Sequence, residues 1–312
     1  MKPYAAGYLP VSHGHTLYYA EYGNPHGIPL LFMHGGPGSG CNPEHAKLLH
    51  PQGFRIIQVD QRGCGLSTPR GWLLGNTTTD LVADMETLRV YRGIERWVIY
   101  GGSWGATLAL EYAKYVPENV LGLLLRGAFL ARQEDWQWFS MPDGVDQQFP
   151  QAYKQLVSAL YSRFGENPIT TLYPLLTDPD ASLETAYRAA LAWDSWESAI
   201  MGIPPPVFNP ASITWSKSIE RLRVYSHYAY HDFFLPPDGV LPDIDSMHAI
   251  PVVAIHGIHD KVCRFESVQA LKAQLPELTI IPVAAGHGLF EHPLQEALSK
   301  AAANLHHLLV AT

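Results

Sequence analysis

The sequence predicts an α/β protein, with a mostly parallel sheet flanked by helices and an inserted helical segment. Short apolar, β-branched runs alternate with helical patterns over the first 130 residues, which is typical of a parallel sheet buried on both faces. Strand-like runs then cease and resume near residue 251, and the sequence between is rich in Trp, Tyr, Gln and Pro. We therefore expect a core of residues 1–130 and 241–312, interrupted by a helical cap subdomain of residues 131–240.

The predicted core elements alternate along the chain. Buried strands are expected at residues 29–34, 54–60, 97–101, 120–126, 251–256 and 279–283. An antiparallel edge strand is expected at residues 16–22. Helices are expected at residues 80–91, 104–116 and 292–310, with Asp80 as the N-cap of the first.

Composition argues against several classes of function. The formal net charge is −8, whereas a nucleic-acid-binding surface needs a basic face. The three cysteines are widely spaced and form neither a disulfide framework nor a zinc site. We expect no cofactor. The first residues lack the apolar stretch of a signal peptide, and no run reaches the roughly 18 apolar residues that span a bilayer. We expect a soluble, cytoplasmic protein without nucleic-acid or membrane partners.

Residues 101–105, GGSWG, have the G-x-S-x-G form of a nucleophile elbow. They follow a predicted strand and open a predicted helix, which is the context that this motif requires. Glycines two positions before and after the serine let the strand and the helix pack closely. The alternative is an ordinary glycine-rich turn between strand and helix. We favour Ser103 as a nucleophile because partners for it occur further along the chain.

Those partners are Asp260 and His287. Each follows a predicted strand, in the order nucleophile, acid, histidine, and the carboxyl ends of parallel strands meet at one edge of the sheet. His287 would take the Ser103 proton, and Asp260 would orient the imidazole and stabilise its charged form. Competing candidates are the histidines His256 and His259, which flank Asp260, and the acid Glu291.

A glycine-rich loop at residues 34–40 follows the predicted strand at 29–34. In such a site the oxyanion is held by two backbone N–H groups, one after the nucleophile and one from this loop. We predict Trp104 and Gly36 as these donors. A phosphate-binding role is the rival reading, but the loop lacks a Walker lysine and GxGxxG spacing.

Eight segments together resemble the proline iminopeptidases, which are serine peptidases of the α/β-hydrolase fold. In chain order these segments are HGGPG (34–38), DQRGCGLS (60–67), NTTTDLVADMETLR (76–89), GGSWGATLALEYA (101–113), LRGAFL (125–130), AWDSWE (192–197), GIHDKVC (257–263) and AGHGLFE (285–291). The resemblance spans nearly the whole chain. It implies the α/β-hydrolase fold with a helical cap, and a metal-free exopeptidase that releases N-terminal proline from peptides through an acyl-enzyme.

The resemblance also implies how the substrate amine is bound. Glu197 in AWDSWE matches the family's amine-binding glutamate, which would form charge-assisted hydrogen bonds with the amine. A second family glutamate is replaced here by Tyr225, which brings no negative charge at neutral pH. Asp232 and Glu134 are candidate substitutes for that missing carboxylate. The aromatic residues Phe129, Trp138 and Tyr228 are candidate walls of a proline slot, with cap core as their alternative role.

Two other functions are compatible with the sequence. One is an esterase, an amidase or an aminopeptidase of altered specificity on the same scaffold. The other is a non-catalytic relative that serves as a binding protein, although such proteins usually lose a catalytic residue. Cys263, three residues after Asp260, is not expected to be the nucleophile because Ser103 occupies the elbow. We expect that thiol reagents inhibit by crowding the site at Cys263.

Overall fold

The computed structural model describes residues 1–163, 165–209 and 215–311. Within them, eight strands form one sheet in the order β1-β2-β4-β3-β5-β6-β7-β8. The strands are β1 (Ala5–Pro10), β2 (Thr16–Gly23), β3 (Ile28–Met33), β4 (Phe54–Val59), β5 (Trp97–Gly102), β6 (Val120–Arg126), β7 (Val252–Gly257) and β8 (Thr279–Val283). The chain enters as antiparallel β1 and β2, and every pairing from β4 to β8 is parallel. The predicted α/β-hydrolase fold class is confirmed.

The predicted edge strand at residues 16–22 lies inside the sheet. It is antiparallel, as expected, but β2 pairs on both sides, with β1 and with β4. The edge is β1, and the prediction missed it because AAGYLP contains few large apolar residues and is buried only at Leu9. The other predicted strands match observed strands to within two residues at each end.

Nine α-helices accompany the sheet in the described ranges. They are α1 (Thr78–Tyr91), α2 (Trp104–Tyr115), α3 (Gln133–Ser140), α4 (Pro150–Ala159), α5 (Ile169–Thr177), α6 (Leu183–Met201), α7 (Trp215–Tyr230), α8 (Phe265–Gln274) and α9 (His292–Ala311). Helices α3 to α7 fall within the segment assigned to the cap, of which residues 164 and 210–214 lie outside the described residues.

The first helix begins earlier than predicted. Its N-cap is Thr77, whose hydroxyl accepts from the Asp80 N–H, and the Asp80 carboxylate in turn accepts from the Thr77 N–H. Asp80 therefore occupies the third helical position of a capping box, and the prediction that it is the N-cap is wrong. Three successive threonines precede it, so the sequence offered several capping side chains within one turn.

Apolar side chains fill both faces of the sheet. The cap-side cluster contains Trp104, Trp136 and Tyr225, and joins the sheet and α2 to the cap helices. The α9-side cluster contains Phe32 and Tyr100, and joins the opposite face to α9. The carboxyl ends of β3, β5, β6 and β7 open between these clusters. No helix among the described residues is long and apolar enough to cross a membrane.

Candidate active site

Ser103 lies at a strained turn between β5 and α2. Its φ and ψ are 56° and −122°, a conformation that non-glycine residues rarely adopt. A Cβ on Gly101 would lie 2.2 Å from the Gly105 carbonyl oxygen, and one on Gly105 would lie 2.2 Å from the Met33 carbonyl oxygen. Only glycine fits at either position, which is the physical basis of the motif. The Ser103 N–H donates to the Arg126 carbonyl on β6 (2.9 Å), which anchors the turn.

Asp260 and His287 meet beyond the ends of β7 and β8. The distance from His287 Nδ1 to Asp260 Oδ2 is 2.7 Å, and Asp260 Oδ1 accepts from the N–H groups of Val262 and Cys263 at 2.9 Å each. Burial alone would raise the pKa of Asp260. The charge and hydrogen bond of His287 outweigh that effect, and the pKa lies below its ordinary value. Asp260 is therefore a carboxylate that orients the imidazole.

The structure brings His287 and Ser103 to the same cavity. No hydrogen bond joins their side chains among the described residues, and in unliganded sites such bonds often form only with substrate. The competing candidates have other partners. His256 is fully buried and its Nε2 hydrogen-bonds the Cys263 carbonyl, His259 is exposed, and Glu291 accepts from the Gly286 N–H.

The loop at residues 34–40 packs directly on the elbow. A Cβ on Gly35 would lie 3.0 Å from the Gly102 carbonyl oxygen and 3.3 Å from Ser103 Cβ. Gly36 has a φ of +119° and precedes a cis proline. Trp104 is the first residue of α2, where backbone N–H groups lack acceptors within the helix. Both predicted oxyanion donors thus belong to backbone segments that contact Ser103 or follow it directly.

Gln61 ties these two segments together. Its Nε2 donates to the His34 carbonyl (2.8 Å), and its Oε1 accepts from Trp104 Nε1 (3.0 Å). The Gln61 N–H donates to His34 Nε2 (3.0 Å), and His34 Nδ1 lies 2.8 Å from the Gly35 carbonyl oxygen. Sequence analysis assigned no role to Gln61, although DQRGCGLS was one of the segments that carried the resemblance.

A cavity of about 290 Å³ opens above Ser103. Aromatic side chains of the cap-side cluster form one part of its wall, namely Phe129, Trp136, Phe139, Tyr225 and Phe233. Trp136 stacks on Trp193 with ring centroids 6.0 Å apart. The predicted pocket residues Phe129 and Tyr225 therefore line the cavity, and sequence analysis missed the other three aromatics.

Two predicted pocket aromatics do not line this cavity. Trp138 Nε1 donates to the Lys261 carbonyl (3.0 Å), and the Arg264 guanidinium lies over its ring. Tyr228 is buried, its hydroxyl donates to Asn76 Oδ1 (2.8 Å), and its ring packs against Trp104 at 5.0 Å. Their assignment to the pocket is wrong. Both are held by contacts between the cap and the core, which is the alternative role considered for them.

Glu197 lies inside the cap with its accessible surface facing the cavity. Trp193 Nε1 donates to Glu197 Oε1 (3.1 Å), and the Tyr225 hydroxyl lies beside the same carboxylate. Burial raises the pKa of Glu197 above its ordinary value, and the positive charge of Arg221 opposes that rise. Burial also raises the pKa of Tyr225, so its hydroxyl stays neutral and keeps its proton.

A second carboxylate does lie near Glu197, but it is neither of the predicted substitutes. Asp194, one turn earlier on α6, pairs with Arg221 of α7. Glu134 is 60% exposed and pairs with Arg132, outside the cavity. Asp232 borders a separate, smaller depression behind Trp136. The prediction that Asp232 or Glu134 replaces the missing carboxylate is therefore wrong.

Cys263 lies in the cavity wall and is 3% exposed. Burial raises the pKa of its thiol well above the ordinary value, and the nearby Asp260 carboxylate adds to that rise. A neutral thiol is a poor nucleophile, which agrees with the expectation that Ser103, not Cys263, is the attacking group.

Comparisons with known proteins agree with this geometry. A family model described as the α/β-hydrolase fold matches residues 28–293. The chain is 38% identical to a proline iminopeptidase of Neisseria meningitidis serogroup A over 310 residues, covering 99% of this chain and 98% of the relative. It is 39% identical to a probable proline iminopeptidase of Leptolyngbya boryana (96% and 93% covered) and 37% identical to an Arabidopsis thaliana proline iminopeptidase (93% and 77%).

Solved structures share the fold at lower identity. A proline iminopeptidase of Mycobacterium smegmatis superposes with a TM-score of 0.61 at 23% identity, covering 98% of this chain and 99% of that one. A haloalkane dehalogenase variant from Bradyrhizobium elkanii gives a TM-score of 0.64 at 17% identity, with the same coverage. At these identities the likeness shows the fold alone, since this scaffold carries many chemistries.

Proposed function

The chain belongs to the proline iminopeptidases of the α/β-hydrolase fold, and we propose that it releases N-terminal proline from peptides through an acyl-enzyme on Ser103. One observation carries the proposal: a single cavity is lined by Ser103, His287 and the buried carboxylate Glu197. A nucleophile and an amine-binding carboxylate in one cavity suit a scissile bond that lies next to a free amino terminus.

The first chemical step is attack by Ser103 on the prolyl carbonyl carbon. His287 accepts the hydroxyl proton on Nε2, because its Nδ1 is committed to Asp260. The imidazolium that forms is stabilised by the Asp260 carboxylate. Asp260 is itself fixed by two backbone N–H groups and by burial, so it does not need to reorganise during the reaction.

The tetrahedral intermediate carries a negative oxygen, which is held by the N–H groups of Gly36 and Trp104. Support for this assignment is the hydrogen-bonded bridge from His34 through Gln61 to Trp104, which keeps the two backbone segments at a constant separation. Preorganised donors of this kind typically lower a barrier by about 3–4 kcal/mol each. His287 then protonates the leaving nitrogen, and water hydrolyses the prolyl ester with the same base.

The substrate amine binds Glu197. An N-terminal proline carries a secondary ammonium group, and its two protons match the carboxylate of Glu197 and a neighbouring acceptor. An apolar wall surrounds the pyrrolidine ring, formed by Phe129, Trp136, Phe139 and Phe233. Their rings carry no polar group on this wall that would lose a hydrogen bond when the proline ring binds. Amine recognition and apolar enclosure together select a terminal proline.

Comparing the hydrolysis of L-prolyl anilide with that of N-acetyl-L-prolyl anilide tests the proposal. We expect acetylation to lower kcat/KM by at least about 100-fold, because it removes the charge that Glu197 binds and adds a group that the closed cap must accommodate. Equal rates for the two anilides would contradict an aminopeptidase.

The variant Glu197→Gln, which keeps the shape of the side chain, is expected to raise KM for the free prolyl anilide and to shrink the difference between the two substrates. Its matched control is Glu134→Gln, the same chemical change on an exposed cap residue outside the cavity. The control is expected to retain wild-type discrimination.

A further inference from the structure

The cavity extends past Ser103 to the side opposite the cap. There its wall is formed by Phe32, Ser39, His45, Tyr100, Arg126 and Leu289. Phe32 and Tyr100 belong to the α9-side cluster, whereas the aromatic residues around Glu197 belong to the cap-side cluster. The wall of this one cavity therefore draws on both clusters, with Ser103 at the end of the central strand β5 between them; we call the part next to Glu197 the first lobe and the part next to Arg126 the second lobe. The first lobe has a role in the proposed function, and the second has none so far.

Arg126 is the charged residue of the second lobe. It is the last residue of β6 and is only 9% exposed, yet no Asp or Glu of the described chain pairs with it. Its Nη1 donates to the His287 carbonyl (2.6 Å), and its buried Nε has no hydrogen-bond partner among the described residues. A buried cation without a counter-charge is costly, so this arrangement calls for an anion that the protein itself does not supply.

Neighbouring groups keep the Arg126 guanidinium accessible from the cavity. Gly102 has no side chain, and a Cβ there would lie 2.8 Å from Arg126 Nη2 and 3.0 Å from the Tyr100 hydroxyl oxygen. His45 Nδ1 is also buried without a partner in the described chain. Burial and the Arg126 charge lower the pKa of His45, so this imidazole is neutral at neutral pH and Arg126 keeps an uncompensated charge.

We propose that Arg126 is the centre of a carboxylate subsite that binds the C-terminal carboxylate of a prolyl dipeptide. The inference rests on the proposed function, because it takes Ser103 as the point of attack. The Ser103 N–H donates to the Arg126 carbonyl, so the nucleophile and the cation lie on adjacent strands. In a dipeptide the carboxylate follows the scissile bond by a single residue, a reach of about 3.8 Å between consecutive Cα atoms.

The position of His287 fixes which part of the substrate occupies this lobe. His287 protonates the leaving nitrogen, so the leaving residue departs on its side of Ser103. Arg126 donates to the backbone of this same histidine and therefore faces the leaving residue. A prolyl dipeptide carries an ammonium group at one end and a carboxylate at the other. Glu197 and Arg126 present the opposite charges in the same order along the cavity.

The experiment measures kcat/KM of the full-length enzyme on Pro-Ala, Pro-Ala amide, Pro-Ala-Ala and Pro-Glu amide. We expect Pro-Ala to exceed both Pro-Ala amide and Pro-Ala-Ala by about tenfold or more, the scale of one charge-assisted contact. Arg126→Met is expected to abolish this preference, and Arg126→Lys to keep part of it. The preference is the ratio of kcat/KM for two substrates of the same variant. A displaced His287 that slows all substrates equally therefore does not change it.

Three results would overturn the subsite. They are equal rates of the wild-type enzyme on Pro-Ala and its amide, an unchanged preference in Arg126→Met, and Pro-Glu amide matching Pro-Ala, which would assign the site to an acidic side chain. The comparison of Pro-Ala with Pro-Ala amide on the wild-type enzyme tests the subsite even if an Arg126 variant fails to fold. Lys300→Met removes one positive charge from the exposed face of α9 and is expected to keep the full preference. Prolyl anilide, which lacks a carboxylate, tests the proposed function separately.

Discussion

Arg221 of α7 donates to the Asp194 carboxylate of α6, one turn before Glu197. The cap helices thus hold two carboxylates and one guanidinium together beside the cavity, of which Glu197 and Arg221 line it, with the neutral hydroxyl of Tyr225 next to them. The formal charge of this group is −1, and a bound prolyl ammonium would bring it to zero. A single net negative charge is therefore available to the substrate although the second family glutamate is absent.

Replacing Ser103 by alanine is expected to lower the kcat for prolyl anilide by roughly 10⁴- to 10⁶-fold, because the remaining groups cannot form an acyl-enzyme. The melting temperature is expected to stay near that of the wild type, since alanine keeps the backbone hydrogen bond from position 103 to the Arg126 carbonyl. The companion variant Cys263→Ala removes the neutral thiol beside it and is expected to keep most of the activity. Loss of turnover in Cys263→Ala with full turnover in Ser103→Ala would reverse the assignment of the nucleophile.

Replacing Arg221 by methionine is expected to move the acid limb of substrate binding to higher pH. In the proposed function Glu197 binds the amine only when ionised. Burial raises its pKa, so binding is expected to weaken as the pH falls through that pKa. Arg221 lowers this pKa, and its removal lets the value rise further. The measurement is the pH dependence of L-prolinamide binding to the Ser103→Ala enzyme, with and without Arg221→Met.

The control for this prediction is the double variant Arg221→Met with Glu197→Gln, again in the Ser103→Ala enzyme. Because this variant has no ionisable group at position 197, its binding of L-prolinamide should not show the acid limb that is shifted in Arg221→Met. An unshifted limb in Arg221→Met would mean that the guanidinium does not act on Glu197.

Replacing Gln61 by methionine is expected to lower kcat by about tenfold with little change in KM. The substitution keeps the side-chain length but breaks the link between the His34 carbonyl and Trp104 Nε1, so both oxyanion-hole segments lose a common support. A tenfold change corresponds to about 1.4 kcal/mol, the scale of one lost buried hydrogen bond. The measurements are kcat for prolyl anilide and the melting temperature of the same variant. A fall in melting temperature with unchanged kcat would contradict a positioning role.

Replacing Gly105 by alanine is expected to destabilise the fold by about 1–3 kcal/mol or more, because the new Cβ would lie 2.2 Å from the Met33 carbonyl oxygen. Strand β3 and helix α2 would have to separate, which also displaces Ser103. Chemical denaturation measures the effect. Gly122→Ala, on β6, meets its neighbours no closer than 3.4 Å and is expected to be tolerated.

Local rules explain why sequence analysis located the reacting groups. Ser103 directly follows β5, and Asp260 and His287 lie within four residues of the ends of β7 and β8. The apolar runs of these strands are easy to recognise, and carboxyl ends of parallel strands share one edge. The prediction of Gly36 and Trp104 as donors rests on the same backbone geometry. These residues remain predictions in their catalytic roles, but their positions in the fold could be derived without coordinates.

Contacts between distant segments could not be derived in this way. Arg221 and Asp194 lie 27 residues apart on two cap helices, and nothing in either helix alone indicates that they pair. The aromatic residues of α3 show the same limit. Trp136 and Phe139 face the cavity at a spacing of three, whereas Trp138 between them faces the loop at residues 261–264. Which face of a cap helix turns inward depends on its docking onto the core.

The interior position of Glu197 limits which prolines the proposed enzyme can attack. A proline within a polypeptide has an acylated nitrogen, which carries no charge for the carboxylate, and the preceding chain would collide with the cap. The 25 prolines of this chain are therefore safe from other copies of the enzyme. An enzyme that works as proposed needs no zymogen stage or inhibitor to prevent autolysis, because it attacks only prolines at a free amino terminus.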